Sequence, residues 1–266
     1  MLDLEFAELS DIGKVRDHNE DYFGHVAPAG AEHARNQGWL FILADGVGGQ
    51  DRGEVASRLA VETLQFGFRD FRPNEAPSAC LQRLVQAANL KIYETAATTG
   101  PSGSNMCTTV VACLLRYDRV VIAHVGDSRC YLVRRGQAEA LTHDHSLVGE
   151  QVRMGLLTAE EAATSERRHV LSRSLGANMV VNVDLDEHQL LPGDVLVLSS
   201  DGLHGSLTPA EIAVTVGQNH DLGEAARKLV GLSLEKDGGD NTTAQLIRIK
   251  SVERMGMYRG RPYKLR

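Results

Sequence analysis

The chain has 266 residues, 42% of them hydrophobic and 24% charged, with a net charge of −7 at pH 7. That length supports a substantial core, and the acidic balance argues against a general nucleic-acid binder. No apolar run approaches a membrane span, and the acidic start Met-Leu-Asp-Leu-Glu-Phe lacks the basic region of a signal peptide.

The first thirteen residues read as an edge strand entering a turn at Ser10-Asp-Ile-Gly13, followed by the polar string Arg16-Asp-His-Asn-Glu-Asp21 and a strand over 22–26. A polar loop over 29–38 leads into Trp39-Leu-Phe-Ile-Leu-Ala-Asp-Gly-Val-Gly-Gly49, an apolar run that reads as a strand buried on both faces. Apolar residues at helical spacing predict a helix over about 52–70 and, beyond the break at Arg72-Pro-Asn-Glu-Ala-Pro77, a second to about 98 with Ser78 as N-cap. After a loop over 99–105, β-branched runs at 108–115, 120–125, 130–133 and 138–141, separated by turn residues, predict an antiparallel meander. Short helical patterns occupy 146–165, with Gly155 as a C-cap and a capping box at Thr158 and Glu161. A strand pair over 180–186 and 194–199 is joined by Leu191-Pro-Gly-Asp194. Thr208-Pro-Ala-Glu211 caps one helix, Asp221 with Glu224 opens another that ends at Gly238-Gly239, and a final strand covers 242–249. Helices grouped in pairs around runs of strands suggest layers of helix outside two antiparallel sheets. The four cysteines, at 80, 107, 113 and 130, form no Cys-x-x-Cys pair and are expected as buried free thiols of a cytoplasmic protein.

One feature recurs. A core strand ends in Ala44-Asp45-Gly46; another ends in Ser199-Ser-Asp201-Gly202; Asp127 follows the run 120–125; Asp240 precedes the last strand; Glu20 and Asp21 open the second. Each has a local reading as a turn. Strand ends on one edge of packed sheets can converge, and five acidic positions together require cations. Mg²⁺ and Mn²⁺ prefer oxygen ligands, whereas no His-x-x-x-His or cysteine pair suited to zinc stands beside these acids. Two such ions about 3.5–4 Å apart, sharing a carboxylate, can activate a water for in-line attack on phosphorus. Arg16 offers the planar fork that binds phosphate oxygens; alternatively it is a surface arginine pairing with Asp17 or Glu20.

These stretches together resemble the metal-dependent protein phosphatases of type 2C in their bacterial stand-alone form. The motifs that carry the resemblance are Ser10-Asp-Ile-Gly-Lys-Val-Arg-Asp-His-Asn-Glu-Asp21, Ala44-Asp-Gly-Val-Gly-Gly49, Met106-Cys-Thr-Thr109, His124-Val-Gly-Asp-Ser-Arg129, Leu141-Thr-His-Asp-His-Ser146, Leu171-Ser-Arg-Ser-Leu-Gly176, Ser199-Ser-Asp-Gly-Leu203 and Asp240-Asn-Thr242. The resemblance implies an α+β fold, a four-layer α/β/β/α sandwich of two antiparallel sheets flanked by helix pairs. It implies a catalytic domain over 1–250 with a variable flap at 146–170, followed by a tail over 251–266 that carries five basic residues and one acid and is expected to be solvated and partly disordered. By position, Asp45 would bridge two Mg²⁺ or Mn²⁺ ions, the Gly46 carbonyl would add a ligand, and Asp201 and Asp240 would hold the second ion. Glu20 and Asp21 would order waters on the metals, Asp127 would share a weaker third ion with Asp201, and Arg16 would hold the substrate phosphate.

The implied activity is hydrolysis of phosphoserine and phosphothreonine in proteins, the substrates of an opposing kinase. The protein is expected to be a monomer that binds no nucleic acid and spans no membrane. Two departures from the family pattern stand out. Cys107 occupies a position where glycine is usual, and Val47 replaces a histidine proposed as general acid in eukaryotic members. The leaving oxygen would then take its proton from a water on the metal, with His204 as a secondary candidate donor; His143 and His145 read as structural. The competing readings are a catalytically silent binding or regulatory module of the same fold, and a hydrolase of small phosphoesters.

Overall fold

Strand β3 (Trp39–Asp45) explains the layering. Leu40, Ile42 and Ala44 join a core shared with helices, while Phe41 and Leu43 face a second core; all five are fully buried. A strand with apolar neighbours on both faces must lie inside a stack of layers. The computed structural model describes residues 2–47, 52–70, 75–99, 106–158, 161, 165, 167, 169–258 and 261–264, with side chains through Arg254. Gly48 and Gly49, the break at 71–74, the loop over 100–105 and several positions of 159–168 lie outside the described residues.

In one sheet β2 (Asp21–Val26), β3, β4 (Val110–Arg116), β5 (Arg119–Val125) and β8 (Asp184–Gln189) pair antiparallel in that order. The other runs β1 (Asp3–Asp11), β10 (Thr242–Ser251), β9 (Val195–Ser199), β6 (Arg129–Arg134) and β7 (Gln137–Ala140). Helices α2 (Gly53–Arg69) and α3 (Pro77–Thr98) cover the first sheet, burying Val61, Leu64, Leu84 and Ile92 against it. Helices α6 (Pro209–Gln218) and α7 (Leu222–Lys236) cover the second through Ile212, Val216, Leu229 and Val230. Between the sheets lies the second core, with Phe41, Val111, Ile122, Leu196, Leu198 and Ile247. Alternate residues of β9 divide accordingly: Val195 and Val197 face the helices, Leu196 and Leu198 face the other sheet. At about 1.5–3 kcal/mol for each large apolar side chain taken from water, these three cores are the main source of stability. The expected α/β/β/α sandwich is present.

Several local expectations are corrected. The runs over 120–125 and 130–133 are not successive strands of one meander: β5 pairs with β4 and β8, β6 with β7 and β9. The chain changes sheet at Gly126, whose φ of +109° few side chains tolerate. Likewise the strands over 180–186 and 194–199 form no pair, because β8 and β9 lie in different sheets and 181–183 are not strand. The 29–38 loop contains a short helix, α1 (Ala31–Asn36). The second long helix begins at Pro77 with Ala76 at its N-cap, not Ser78; the fixed φ of proline starts the helix two residues earlier. Past β10, the tail's backbone pairs into a hairpin of β11 (Met255–Tyr258) and β12 (Arg261–Lys264).

Other local readings agree. Thr208 and Glu211 form the reciprocal capping box and Asp221 caps α7. Thr158 and Glu161 exchange the expected bonds. Helix α4 (Leu147–Arg153) ends before Gly155 at φ +71°. All four cysteines are free; Cys80, Cys113 and Cys130 are buried and Cys107 is half-buried.

Candidate metal centre

The acids singled out from the sequence meet at one end of both sheets. Asp21 opens β2 and Asp45 closes β3, directly opposite each other in the ladder. On the other sheet Asp201 follows β9 and starts α5 (Asp201–His204), while Asp240 stands two residues before β10. Asp127 lies in the sheet-to-sheet crossover between β5 and β6. A hydroxyl joins the two halves, Thr243 Oγ1 on β10 donating to Asp21 Oδ2 at 2.6 Å.

The backbone around Asp45 is fixed by the Thr108-Thr109 pair. Its N–H donates to Thr109 Oγ1 (2.9 Å), and its carbonyl accepts from Thr109 N–H (2.8 Å) and Thr108 Oγ1 (2.7 Å). Gly46 N–H donates to the Glu20 carbonyl, and Val47 N–H to that of Cys107, both at 3.1 Å. A Cβ at Gly46 would lie 2.4 Å from the carbonyl carbon of Gly53, so only glycine lets the loop touch the start of α2. The nearby Asn241 accepts from Glu20 N–H and donates to the carbonyls of Ile12 and His18, tying the 12–20 segment to Asp240.

Charge is the dominant fact here. Burial, then Asp21, Asp201, Asp127 and Asp240, pushes the Asp45 carboxyl well above the carboxylate range. Burial raises Asp21 to about 7 and, reinforced by Asp201, Asp127 to about 8. Asp201 is lowered: burial opposes ionisation, but His169, His204 and a hydrogen bond shared with Asp45 outweigh it. Without cations the crowding of these carboxylates opposes full ionisation of the Asp45–Asp201 pair. Asp21 Oδ1 is buried and makes no well-formed hydrogen bond to a described residue. Oxygen donors of this kind, short of positive charge and of partners, fit hard divalent cations such as Mg²⁺ or Mn²⁺.

The remaining candidates fall in place around the acids. Arg16 Nη2 donates to Asp240 Oδ2 at 2.7 Å, so its ion-pair partner is neither Asp17 nor Glu20. Glu20 is buried, and His18 Nε2 approaches its carboxylate at 3.5 Å; with Glu54 these are the one group of three or more His, Cys, Asp or Glu residues whose potential ligand atoms all lie within 4.8 Å of one another among the described residues. His204 Nε2 donates to the backbone carbonyl of Asp127 at 3.1 Å, and burial pushes its imidazole down to about 4. Sequence reasoning missed the Thr109 and Asn241 contacts, whose partners are distant in the chain. It also missed His169, whose Nδ1 lies 3.5 Å from Asp201 Oδ2; no spacing to an acid marks that residue out.

A family model described as protein phosphatase 2C matches residues 15–228. The chain belongs to the protein phosphatase 2C family. Among relatives of this phosphatase, a putative protein phosphatase 2C-type from Streptococcus pyogenes serotype M6 is 35% identical over 253 residues, covering 94% of this chain and 99% of that one. The serine/threonine phosphatase stp of Listeria innocua serovar 6a is 34% identical, with 95% and 96% covered. The solved S. agalactiae serine/threonine phosphatase superposes with a TM-score of 0.83 at 36% identity, covering 93% of this chain and all of that one. The catalytic domain of the serine/threonine protein phosphatase PstP, solved with two manganese ions, gives a TM-score of 0.80 at 33% identity over 94% of this chain and 100% of that one.

Proposed function

We infer that this phosphatase hydrolyses phosphoserine and phosphothreonine esters in proteins, in a metal-dependent reaction, with Asp45, Gly46, Asp201 and Asp240 holding Mg²⁺ or Mn²⁺. The observation that carries the reading is the convergence of Asp21, Asp45, Asp127, Asp201 and Asp240 from both sheets. When bound, the divalent ions supply the positive charge the cluster lacks and activate a water for attack on phosphorus. Asp45, central to the cluster, would be the ligand common to the ions; Glu20 and Asp21 would orient waters from the β2 side, and Asp127 with Asp201 would offer a third, weaker position. Arg16, paired with Asp240 in this structure, would be free to bind the substrate phosphoryl oxygens through its planar fork once a cation held that carboxylate. His204 holds the Asp127 backbone and stays neutral, so it is not the proton donor to the leaving serine or threonine. Val47 carries no proton to give, so the proton for the leaving oxygen would come from solvent.

The substrates are phosphorylated proteins made by an opposing kinase. No helix among the described residues is long and apolar enough to cross a membrane, and four free thiols fit work in a reducing cytoplasm. The deciding experiment is turnover of a phosphothreonine peptide with Mn²⁺ or Mg²⁺, with and without chelator, beside Asp45→Asn. Turnover that stops in chelator and in the variant supports the reading. Full activity in chelator overturns the metal assignment, and no turnover of any phosphopeptide favours a silent binding module.

A further inference from the structure

His145 lies at the root of the 146–170 segment, buried and apart from the acid cluster. Its main chain is engaged on both sides: its N–H donates to the Gly126 carbonyl at 2.7 Å and its carbonyl accepts from Ser172 N–H at 2.8 Å. The side chain makes two further contacts. Nδ1 lies 3.1 Å from the Gly126 amide nitrogen, and Nε2 lies 3.0 Å from Asp184 Oδ2. A backbone amide can only donate, so Nδ1 must be the bare nitrogen and Nε2 must carry the ring proton. Asp184 accepts that proton's hydrogen bond and is itself held by Arg173 Nη1 at 2.6 Å.

Gly126 therefore has both of its backbone polar groups occupied by one residue. It sits at φ +109°, and a Cβ there would lie 2.6 Å from the Thr109 side chain. It is also the point where the chain leaves one sheet for the other, and the next residue is Asp127. The peptide that His145 grips thus determines where the Asp127 carboxyl points. The same residue begins the 146–170 segment, whose two ends are joined by the Ser146–Leu171 bridge and by Leu147 N–H to the Val170 carbonyl.

We propose that His145 is a positioning residue for Asp127: its neutral, Nε2-protonated imidazole, oriented by Asp184, clamps the Gly126 turn and fastens it to the base of the 146–170 segment. The inference rests on the reading of Asp127 as a cation ligand. It goes beyond a structural histidine because it assigns each ring nitrogen a task and predicts which replacement restores the site.

The test is an equilibrium Mn²⁺ titration, followed by the EPR signal of free Mn²⁺, on the full chain and on Asp127→Asn, His145→Asn, His145→Gln and Asp184→Leu. Asp127→Asn is expected to lose the weakest site. His145→Asn places an acceptor oxygen where Nδ1 stood and keeps the affinity of that site within about threefold, whereas His145→Gln, whose acceptor lies farther out, weakens it about tenfold. Asp184→Leu, on a half-exposed strand residue, removes the carboxylate that orients the ring and weakens the same site about threefold. If Asp127→Asn binds as the unaltered chain does, the ligand reading and this inference fall together. If Asp127→Asn loses a site but the two His145 variants bind alike, the clamp alone is overturned. Should His145→Gln fail to fold, unchanged binding by Asp184→Leu overturns it.

Discussion

Arg16 and Asp240, 224 residues apart in the chain, meet through a hydrogen bond of 2.7 Å from Nη2 to Oδ2. The group expected to hold phosphate is thus engaged with a carboxylate expected to hold metal. Cation binding at Asp240 and phosphate binding at Arg16 are then linked, because filling the first site frees the guanidinium for the second. Arg16→Ala should raise KM for a phosphopeptide and lower kcat/KM about 10–100-fold, the range for losing a charge-assisted hydrogen bond of about 1.5–3 kcal/mol. The same variant should bind Mn²⁺ at least as tightly, since Asp240 no longer has a competing partner. Steady-state kinetics and metal titration read the two halves separately, and weaker Mn²⁺ binding in Arg16→Ala would contradict the linkage.

Metal removal should make stability fall as pH rises. Burial raises Asp21 to about 7 and Asp127 to about 8, whereas in the unfolded chain an aspartate ionises near 3.9. Between those values the folded protein holds protons that the unfolded chain has released, so stability present below about pH 4 is lost as pH climbs through 7 and 8. For one such group the loss is about 4 kcal/mol. The melting temperature of chelated protein should fall from pH 5 to pH 8, and Mn²⁺ should raise it more at pH 8 than at pH 5. A flat profile in chelator would remove the case for an electrostatically strained cluster.

His124 carries the opposite sign. It is buried with its ring 4.6 Å from that of His145, and neither nitrogen makes a well-formed hydrogen bond to a described residue. Burial, then His145, pushes it down to about 3, against partial compensation from Asp144 and Asp184. The unfolded chain takes up the proton near 6.5 and the folded one does not, so stability is lost as pH falls below about 6.5, by about 3 kcal/mol at pH 4.5. His124→Phe, similar in shape and unable to titrate, should narrow its melting-temperature gap to the unaltered chain, or overtake it, as pH drops from 7 to 4.5. A gap independent of pH would show that His124 does not contribute to acid sensitivity.

How much of this was legible in the chain depends on whether the cause is local. The capping box at Thr208 and the strand-end acids Asp45 and Asp201 depend on near neighbours, and the sequence displays them. The sheet each strand joins does not: residues 120–125 and 130–133 carry the same apolar period whether the intervening Gly126 turns a hairpin or crosses layers. Nor does Arg16 display its partner, because Asp17 and Glu20, its nearest acids in sequence, are both plausible and the one it meets is near the other end. His169 was invisible for the same reason, its approach to Asp201 depending on the path of the segment that carries it.

Gly46 offers a test of close packing at the centre. A Cβ there meets backbone, 2.4 Å from the Gly53 carbonyl carbon, and backbone cannot rotate away. Gly46→Ala should lower stability by about 1–3 kcal/mol and reduce Mn²⁺ affinity by displacing Asp45. Calorimetry and metal titration measure both. Unchanged stability would mean the Asp45–Gly46 loop can move away from α2.

The two sheets each contribute acids to the cluster, Asp21 and Asp45 from one and Asp201 and Asp240 from the other. The distances between these acids are therefore a reading of how the sheets are stacked, as the jaws of a caliper report the thickness of what they grip. What the jaws grip is the layer of Phe41, Val111, Ile122, Leu196, Leu198 and Ile247. A side chain trimmed in the middle of that layer, far from any carboxylate, would let the sheets settle closer and would be felt at the rim as a change in the spacing of the acids.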